Sequence, residues 1–396
     1  MSKRKINIGL AIIFLISIFG LSACESVGFY SQVVKGHSQI MLNREPIDRV
    51  VKQESTDKEV KRKLLIIQRA RQFAVDVLKL PDNGSYTQYV DTGKRYVVWN
   101  VVATLPYSTQ PIEHCFPVAG CVSYRGYYKK AAAEAYAAKL KAQGHDVVVR
   151  GASAYSTLGW FSDPVLNTML YRSDLGLAGL VFHELSHQEV YKAGDTAFNE
   201  SFATTVELAG IEAWAKYQEA NEQTIEQTIE QTIEASGGAP QSKKSKKAAS
   251  INQQNLKLYK AAKKTNTEVV QLILEHRKKL GEVYRKIDPK QVKQLADAKQ
   301  RGFAELRESY KKLRAAGGGS PGYDQWFAGD INNASLVLFG DYHGWVTAFD
   351  VLHKQSAGDW SRFYESVHAL AKLDKAARRK KLEELQQFAM APDAAQ

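Results

Sequence analysis

His183-Glu184-Leu185-Ser186-His187 constrains this chain more than any other stretch. Two histidines four residues apart share one face of a helix, one turn from each other, so both imidazoles can reach a single cation. Glu184 sits one step round the helix from His183, placed to reach a water on that cation without ligating it. Leu177, Leu180, Val181 and Val190 supply an apolar face that buries the helix. The donors point to Zn2+, which accepts neutral imidazole and keeps a position open for water. The ion lowers the pKa of that water to about 7, and Glu184 is then the general base.

A zinc site needs a third protein ligand. Thirteen residues beyond His187 stands Glu200, in Phe198-Asn199-Glu200-Ser201-Phe202-Ala203. Gly194 and Asp195 can turn the chain in between, and Asp195 or Thr196 can cap a second helix. Two antiparallel helices would bring Glu200 over the histidines. Asp195 is the alternative ligand, and Glu200 also reads as a carboxylate that favours the N-terminal end of its helix. Glu207, two turns on, either orients a histidine or faces solvent. Asn199-Glu200-x-x-Ala203 resembles the segment of glutamate-ligand zinc peptidases in which a Glu on the next helix completes the site, at a shorter spacing here.

The periodicity predicts an α+β, predominantly helical fold. A helix pair of zincin-like type would carry the metal site, with a small sheet in the first half and long helices in the second. Residues 27–80 read as helix, with Leu64, Ile67, Ala70, Phe73, Ala74 and Val77 at spacings of three and four. Strands are expected at Tyr96–Val102, Val122–Tyr128, Val147–Val149 and Ala154–Leu158. An alanine-rich helix is expected at Ala131–Gln143. Helices are predicted over 173–192, 198–235, 252–286, 288–315, 331–355 and 358–390. Three copies of Glu-Gln-Thr-Ile extend the second of these. Ser236-Gly237-Gly238-Ala239-Pro240 and Gly317-Gly318-Gly319-Ser320-Pro321 read as breaks. The division expected is a leader over 1–23, a core over 24–216, a repeat and Lys-rich flexible insertion over 217–250, a helical hairpin over 251–316, and a C-terminal helical part over 317–396 that packs on the core.

Lys3, Arg4 and Lys5 precede an apolar run, Ile8 to Leu21, that is short for a bilayer span. Leu21-Ser22-Ala23-Cys24 then resembles the bacterial lipoprotein signal, in which the Cys becomes the lipidated first residue. Glu25 after it leans towards the outer membrane, with the chain facing the periplasm. In an exported protein Cys115 and Cys121 would pair as a disulfide; two buried free thiols are the other reading. The formal charge of +12 suits anionic lipid or polymer nearby. The basic residues are spread along the chain, which with the export signal argues against a nucleic-acid partner.

Several further segments are candidates for binding and catalysis. Tyr342 or His343, in Asp341-Tyr342-His343-Gly344-Trp345, can donate to an oxyanion; a partly buried aromatic and a satisfied histidine is the plainer reading. Tyr155 to Phe161, with Tyr155 and Gly159, resembles an edge strand that pairs with an extended substrate, or an ordinary hairpin strand. Arg125, in Tyr124-Arg125-Gly126, can bind a substrate carboxylate.

Pro81-Asp82-Asn83-Gly84-Ser85-Tyr86, Tyr96-Val97-Val98-Trp99-Asn100, Cys115-Phe116-Pro117-Val118-Ala119-Gly120-Cys121, Ala154–Phe161 and Asn199–Thr204 together resemble the predicted bacterial aminopeptidase family of zinc lipoproteins. The likeness runs from about residue 24 to residue 390, apart from the insertion near 222–250. It implies an envelope metallopeptidase acting on peptides, with ligands His183, His187 and Glu200 and with Glu184 as base. Two rival functions fit the same residues. One is a non-catalytic envelope lipoprotein with a structural metal site, binding proteins or anionic polymer. The other is a zinc hydrolase of a non-peptide amide, such as a cell-wall cross-bridge.

Overall fold

The computed structural model describes residues 28–116, 120–154, 157, 161–235, 245–339 and 344–390. Its α+β architecture is predominantly helical, with thirteen helices and sheets of two or three short strands among those residues. The region expected as one helix over 27–80 is cut into three: α1 over 28–42, α2 (Ile47–Lys52) and α3 (Lys58–Asp76). Pro46 makes the first cut, because it has no N–H and its φ is fixed. Asp57 makes the second: its carboxylate accepts hydrogen bonds from the N–H groups of Glu59 and Val60 and starts α3 afresh.

Eight strands are described: β1 (Glu45–Pro46), β2 (Gln88–Val90), β3 (Val98–Thr104), β4 (His114–Phe116), β5 (Gly120–Val122), β6 (Arg125–Tyr127), β7 (Asp146–Ala152) and β8 (Val165–Leu166). β3 is central in an antiparallel sheet, with β6 and β7 at its sides. Alternate β3 side chains face opposite ways. Val101 and Ala103 pack with Ala133, Ala137 and Leu140 of α4 (Lys130–Ala142). Val102 packs on the other face with Ala334 and Val337. The single strand expected over Val122–Tyr128 divides at Ser123–Tyr124. β5 pairs with β4 in a hairpin closed by the Cys115–Cys121 disulfide, and β6 joins β3. The strand expected at Ala154–Leu158 falls largely outside the described residues.

Nine helices follow: α5 (Asp174–Glu189), α6 (Thr196–Ala235), α7 (Ser245–Lys286), α8 (Val292–Ala315), α9 (Pro321–Ala328), α10 (Asn333–Val337), α11 (Val346–Gln355), α12 (Trp360–Lys372) and α13 (Lys375–Met390). α6 runs on through the Glu-Gln-Thr-Ile repeats, while the break expected at 236–240 lies outside the described residues. α7 and α8 share a core in which Val269, Ile273 and Leu280 meet Phe303, Leu306 and Tyr310. α9 begins on Pro321 at its first turn, where a missing N–H costs nothing. The helix expected over 358–390 is interrupted at Leu373–Asp374, where Asp374 accepts from the N–H groups of Ala376 and Ala377 to start α13.

The main core surrounds α5. Leu177, Val181, Phe182 and Leu185 are buried between α3, through Leu64, Ile67, Phe73 and Ala74, and α6, through Phe198, Phe202 and Val206. Phe349 of α11 and Phe363 of α12 close the far side. Each fully buried Leu or Phe here contributes roughly 1.5–3 kcal/mol, so α5 is held along its whole length. No helix among the described residues is long and apolar enough to cross a membrane.

Candidate metal centre

α5 starts at Ser173, whose Oγ accepts the N–H of Gly176 at 3.2 Å, and ends where Val190 turns extended. Burial of its apolar face turns the opposite stripe, Gly179, His183 and His187, towards α6 and α7. The imidazoles of His183 and His187 stand with ring centres 4.9 Å apart and planes at 86°. His187 is buried, at 7% exposure, and His183 is half-buried.

The turn between α5 and α6 is fixed by three side chains. Asn199 accepts the N–H of Lys192 at 2.7 Å and donates to its carbonyl at 2.8 Å. Asp195 Oδ1 accepts the N–H of Phe198 at 3.2 Å, capping α6. Asp195 Oδ2 accepts two hydrogen bonds from Arg378 of α13. The alternative ligand of the sequence reading is therefore occupied as a cap and an ion pair. Gly194, at φ 76°, takes the left-handed conformation that the tight turn requires.

This turn lays α6 antiparallel to α5 and brings Glu200 over both rings. Its Oε2 is 3.3 Å from His183 Nε2 and its Oε1 is 3.7 Å from His187 Nε2. One ligand atom from each of the three residues lies within 4.8 Å of the others. Two atoms bound to one zinc at about 2.0–2.1 Å and a tetrahedral angle stand about 3.3 Å apart, so the spacing and the His2Glu donor set both fit zinc. Among the described residues no other cluster of this kind occurs.

Glu207, two turns further along α6 and only 8% exposed, presents Oε2 to His183 Nδ1 at 3.4 Å. That leaves His183 Nε2 for the side where Glu200 lies. Glu207 Oε1 accepts the hydroxyl of Tyr259 and pairs with the ammonium of Lys263, each at 2.5 Å. Both partners belong to α7.

The electrostatics follow from this crowding. Burial pushes the Glu184 carboxyl up to about 7, with Glu200 and Asp163 adding to it and His183 opposing. For His183 burial disfavours the charged ring, but the carboxylates of Glu200 and Glu207 outweigh it and lift the value to about 10. His187 falls to about 4 through burial and the charge on His183. Glu207 is buried too, yet His183 and Lys263 hold it well below the usual carboxylate range.

Further groups gather here that the sequence did not flag. Burial, with the charge of Glu200, raises the phenols of Tyr124, in the turn between β5 and β6, and Tyr191. Both side chains are partly exposed. Tyr86 is a non-glycine residue at φ 63° whose buried hydroxyl has no partner among the described residues. It sits within the fields of Glu184 and Asp163. Such strained, unsatisfied positions concentrate at functional sites.

Arg125 has its guanidinium over Phe29, 4.1 Å from the ring centre, and over Tyr136 at 4.8 Å, in the aromatic cluster between α1, α4 and the sheet. Cation–π contacts occupy its face there. Tyr155, Gly159, Tyr342, His343 and Cys24 lie outside the described residues.

The family model described as "Putative aminopeptidase" matches residues 28–248 and 232–382. No curated protein and no solved structure matches the chain.

Proposed function

We propose, since the chain belongs to this aminopeptidase family, that it hydrolyses peptide bonds with a zinc ion held by His183, His187 and Glu200. The observation that carries the proposal is the convergence of two imidazole Nε2 atoms on one carboxylate, 3.3 and 3.7 Å away. When bound, the ion supplies Lewis-acid polarisation of the scissile carbonyl and a water acidified to near neutrality. Three donors come together here, and an ion held by three protein ligands would keep a position for water, as catalytic sites do.

Glu184 moves the proton. Its carboxylate takes one from the attacking water and passes it to the nitrogen of the leaving amine. Burial raises its carboxyl above the usual range, which strengthens it as a proton acceptor. The phenols of Tyr124 and Tyr191, kept protonated by burial beside Glu200, are available as donors to the developing oxyanion. Tyr342 and His343 are further candidates for that role, and Tyr155 and Gly159 for holding an extended peptide.

The proposed location is the cell envelope, with a lipid on Cys24 and the folded part facing the periplasm. The basic and apolar leader ending in Leu-Ser-Ala-Cys supports it. So does the Cys115–Cys121 disulfide, a bond favoured in oxidising compartments.

The test is Glu184→Gln, with zinc content and peptide cleavage measured on the same sample. Full zinc with cleavage lowered by about 10²–10⁴-fold is expected. Full zinc with unchanged cleavage would remove Glu184 from the reaction.

A further inference from the structure

Glu207 can serve His183 only if its carboxylate is kept charged and pointed one way. Burying a carboxylate is costly unless donors satisfy it. Here both donors come from one turn of α7, a helix that reaches the metal site from the hairpin. Tyr259 Oη and Lys263 Nζ both engage Oε1, each at 2.5 Å. With Oε1 occupied on the α7 side, Oε2 is the oxygen turned to His183 Nδ1, 3.4 Å away. Lys263 also lies over the Tyr259 ring, 5.6 Å from its centre, so the two donors brace each other.

Space for this arrangement is made on α5. Gly179 stands one turn before His183, on the same face. A Cβ there would come within 2.7 Å of Tyr259 Oη and 3.1 Å of Glu207 Oε1. Any side chain at 179 would push apart the pair that holds the carboxylate. The glycine of α5 and the tyrosine and lysine of α7 thus form one device around a single oxygen of Glu207 on α6.

We infer that Tyr259 and Lys263 are positioning residues for the metal ligand His183, acting through Glu207, so that α7 helps set the affinity of the centre. The inference rests on the metal-binding reading above. Neither residue touches the ion's position; each fixes the acceptor that holds the His183 ring in register. Loss of both donors leaves the buried carboxylate free to swing away, and the ring loses its anchor.

The experiment measures zinc affinity of the full chain by competition with a chromophoric chelator. It compares wild type, His187→Ala, Glu207→Gln, the pair Tyr259→Phe/Lys263→Met, and Tyr259→Phe/Lys263→Arg. Unfolding of the zinc-free proteins is followed in parallel. The Tyr259→Phe/Lys263→Met pair is expected to bind zinc about tenfold more weakly, as Glu207→Gln does. Its zinc-free unfolding midpoint should fall, because the buried carboxylate loses its donors, so affinity is measured well below that midpoint; the arginine version should recover most of the affinity. Gly179→Ala should weaken binding in the same direction. Wild-type affinity in the Phe/Met pair, alongside a weakened Glu207→Gln, overturns the role of α7 and leaves the zinc site standing. An equal loss in the Phe/Arg pair overturns the part given to Lys263, since the cation would then be irrelevant. If wild type takes up no zinc, or His187→Ala binds as wild type does, the underlying metal reading fails instead.

Discussion

Asp195 Oδ2 accepts from two nitrogens of Arg378, Nε at 2.9 Å and Nη2 at 2.6 Å, and so ties the turn between the ligand-bearing helices to α13. Arg378 is almost fully buried and also donates to the carbonyl of Leu373 at 2.7 Å, while its guanidinium lies over Phe198, 5.4 Å from the ring centre. Removing one member of a buried ion pair strands the other. Arg378→Ala should therefore cost about 3–5 kcal/mol in denaturant unfolding. It should weaken metal binding as well, because Glu200 stands five residues beyond Asp195 on the helix that Asp195 caps. A loss below about 1 kcal/mol, the range of an exposed pair, would show that the contact is not maintained in solution.

α5 and α6 approach closely at Gly210. A Cβ there would stand 2.9 Å from both Leu78 Cδ1 and Phe182 Cδ2. Phe182 is fully buried next to His183 and has nowhere to retreat. Gly210→Ala should destabilise by about 1–3 kcal/mol through overpacking, despite alanine's better helix propensity. Chemical denaturation reads this directly, and a stabilised variant would contradict the packing described.

Removing the metal should expose the protons it displaces. In the zinc-free protein His183 is raised from 6.5 to about 10, so its proton stabilises the fold fully below about pH 6.5 and that stabilisation is lost as the pH rises through about 10. Glu184, raised from 4.5 to about 7, acts in the same sense over the lower window between those values. His187 acts oppositely: lowered from 6.5 to about 4, it stabilises above about pH 6.5 and loses this as the pH falls through about 4. Chelated protein should thus unfold more easily as the pH climbs from about 7 to about 10. Zinc-loaded protein should not follow that slope, since the ion takes the place of the proton. Thermal unfolding across this range, with and without chelator, separates the two.

Much of the centre was legible because helical geometry is local. A spacing of four sets His183 and His187 on one face, and Gly194-Asp195 announces the reversal that carries Glu200 back over them. The partners brought in from far along the chain were not legible. Nothing in Arg378-Arg379-Lys380-Lys381 distinguishes the one arginine that is buried against Asp195 from neighbours that are solvated. Tyr259 and Lys263 sit in a basic amphipathic helix where any residue could face solvent, and only packing selects the stripe that meets Glu207. The long helix expected over 27–80 failed for a readable reason. Pro46 and the cap at Asp57 both punctuate that stretch, and the apolar period alone conceals them. The Val122–Tyr128 run reads as a single strand because a β-branched and aromatic composition does not show where pairing changes partner at Ser123–Tyr124.

The most direct test is metal content by elemental analysis of the folded full chain, with His183→Ala, His187→Ala and Glu200→Ala beside it and peptide cleavage assayed on each. One zinc per wild-type chain is expected, with stoichiometric binding and cleavage both lost in the three variants. A metal-free wild type that neither takes up zinc nor cleaves peptides when zinc is added would contradict the account, as would variants that keep the ion.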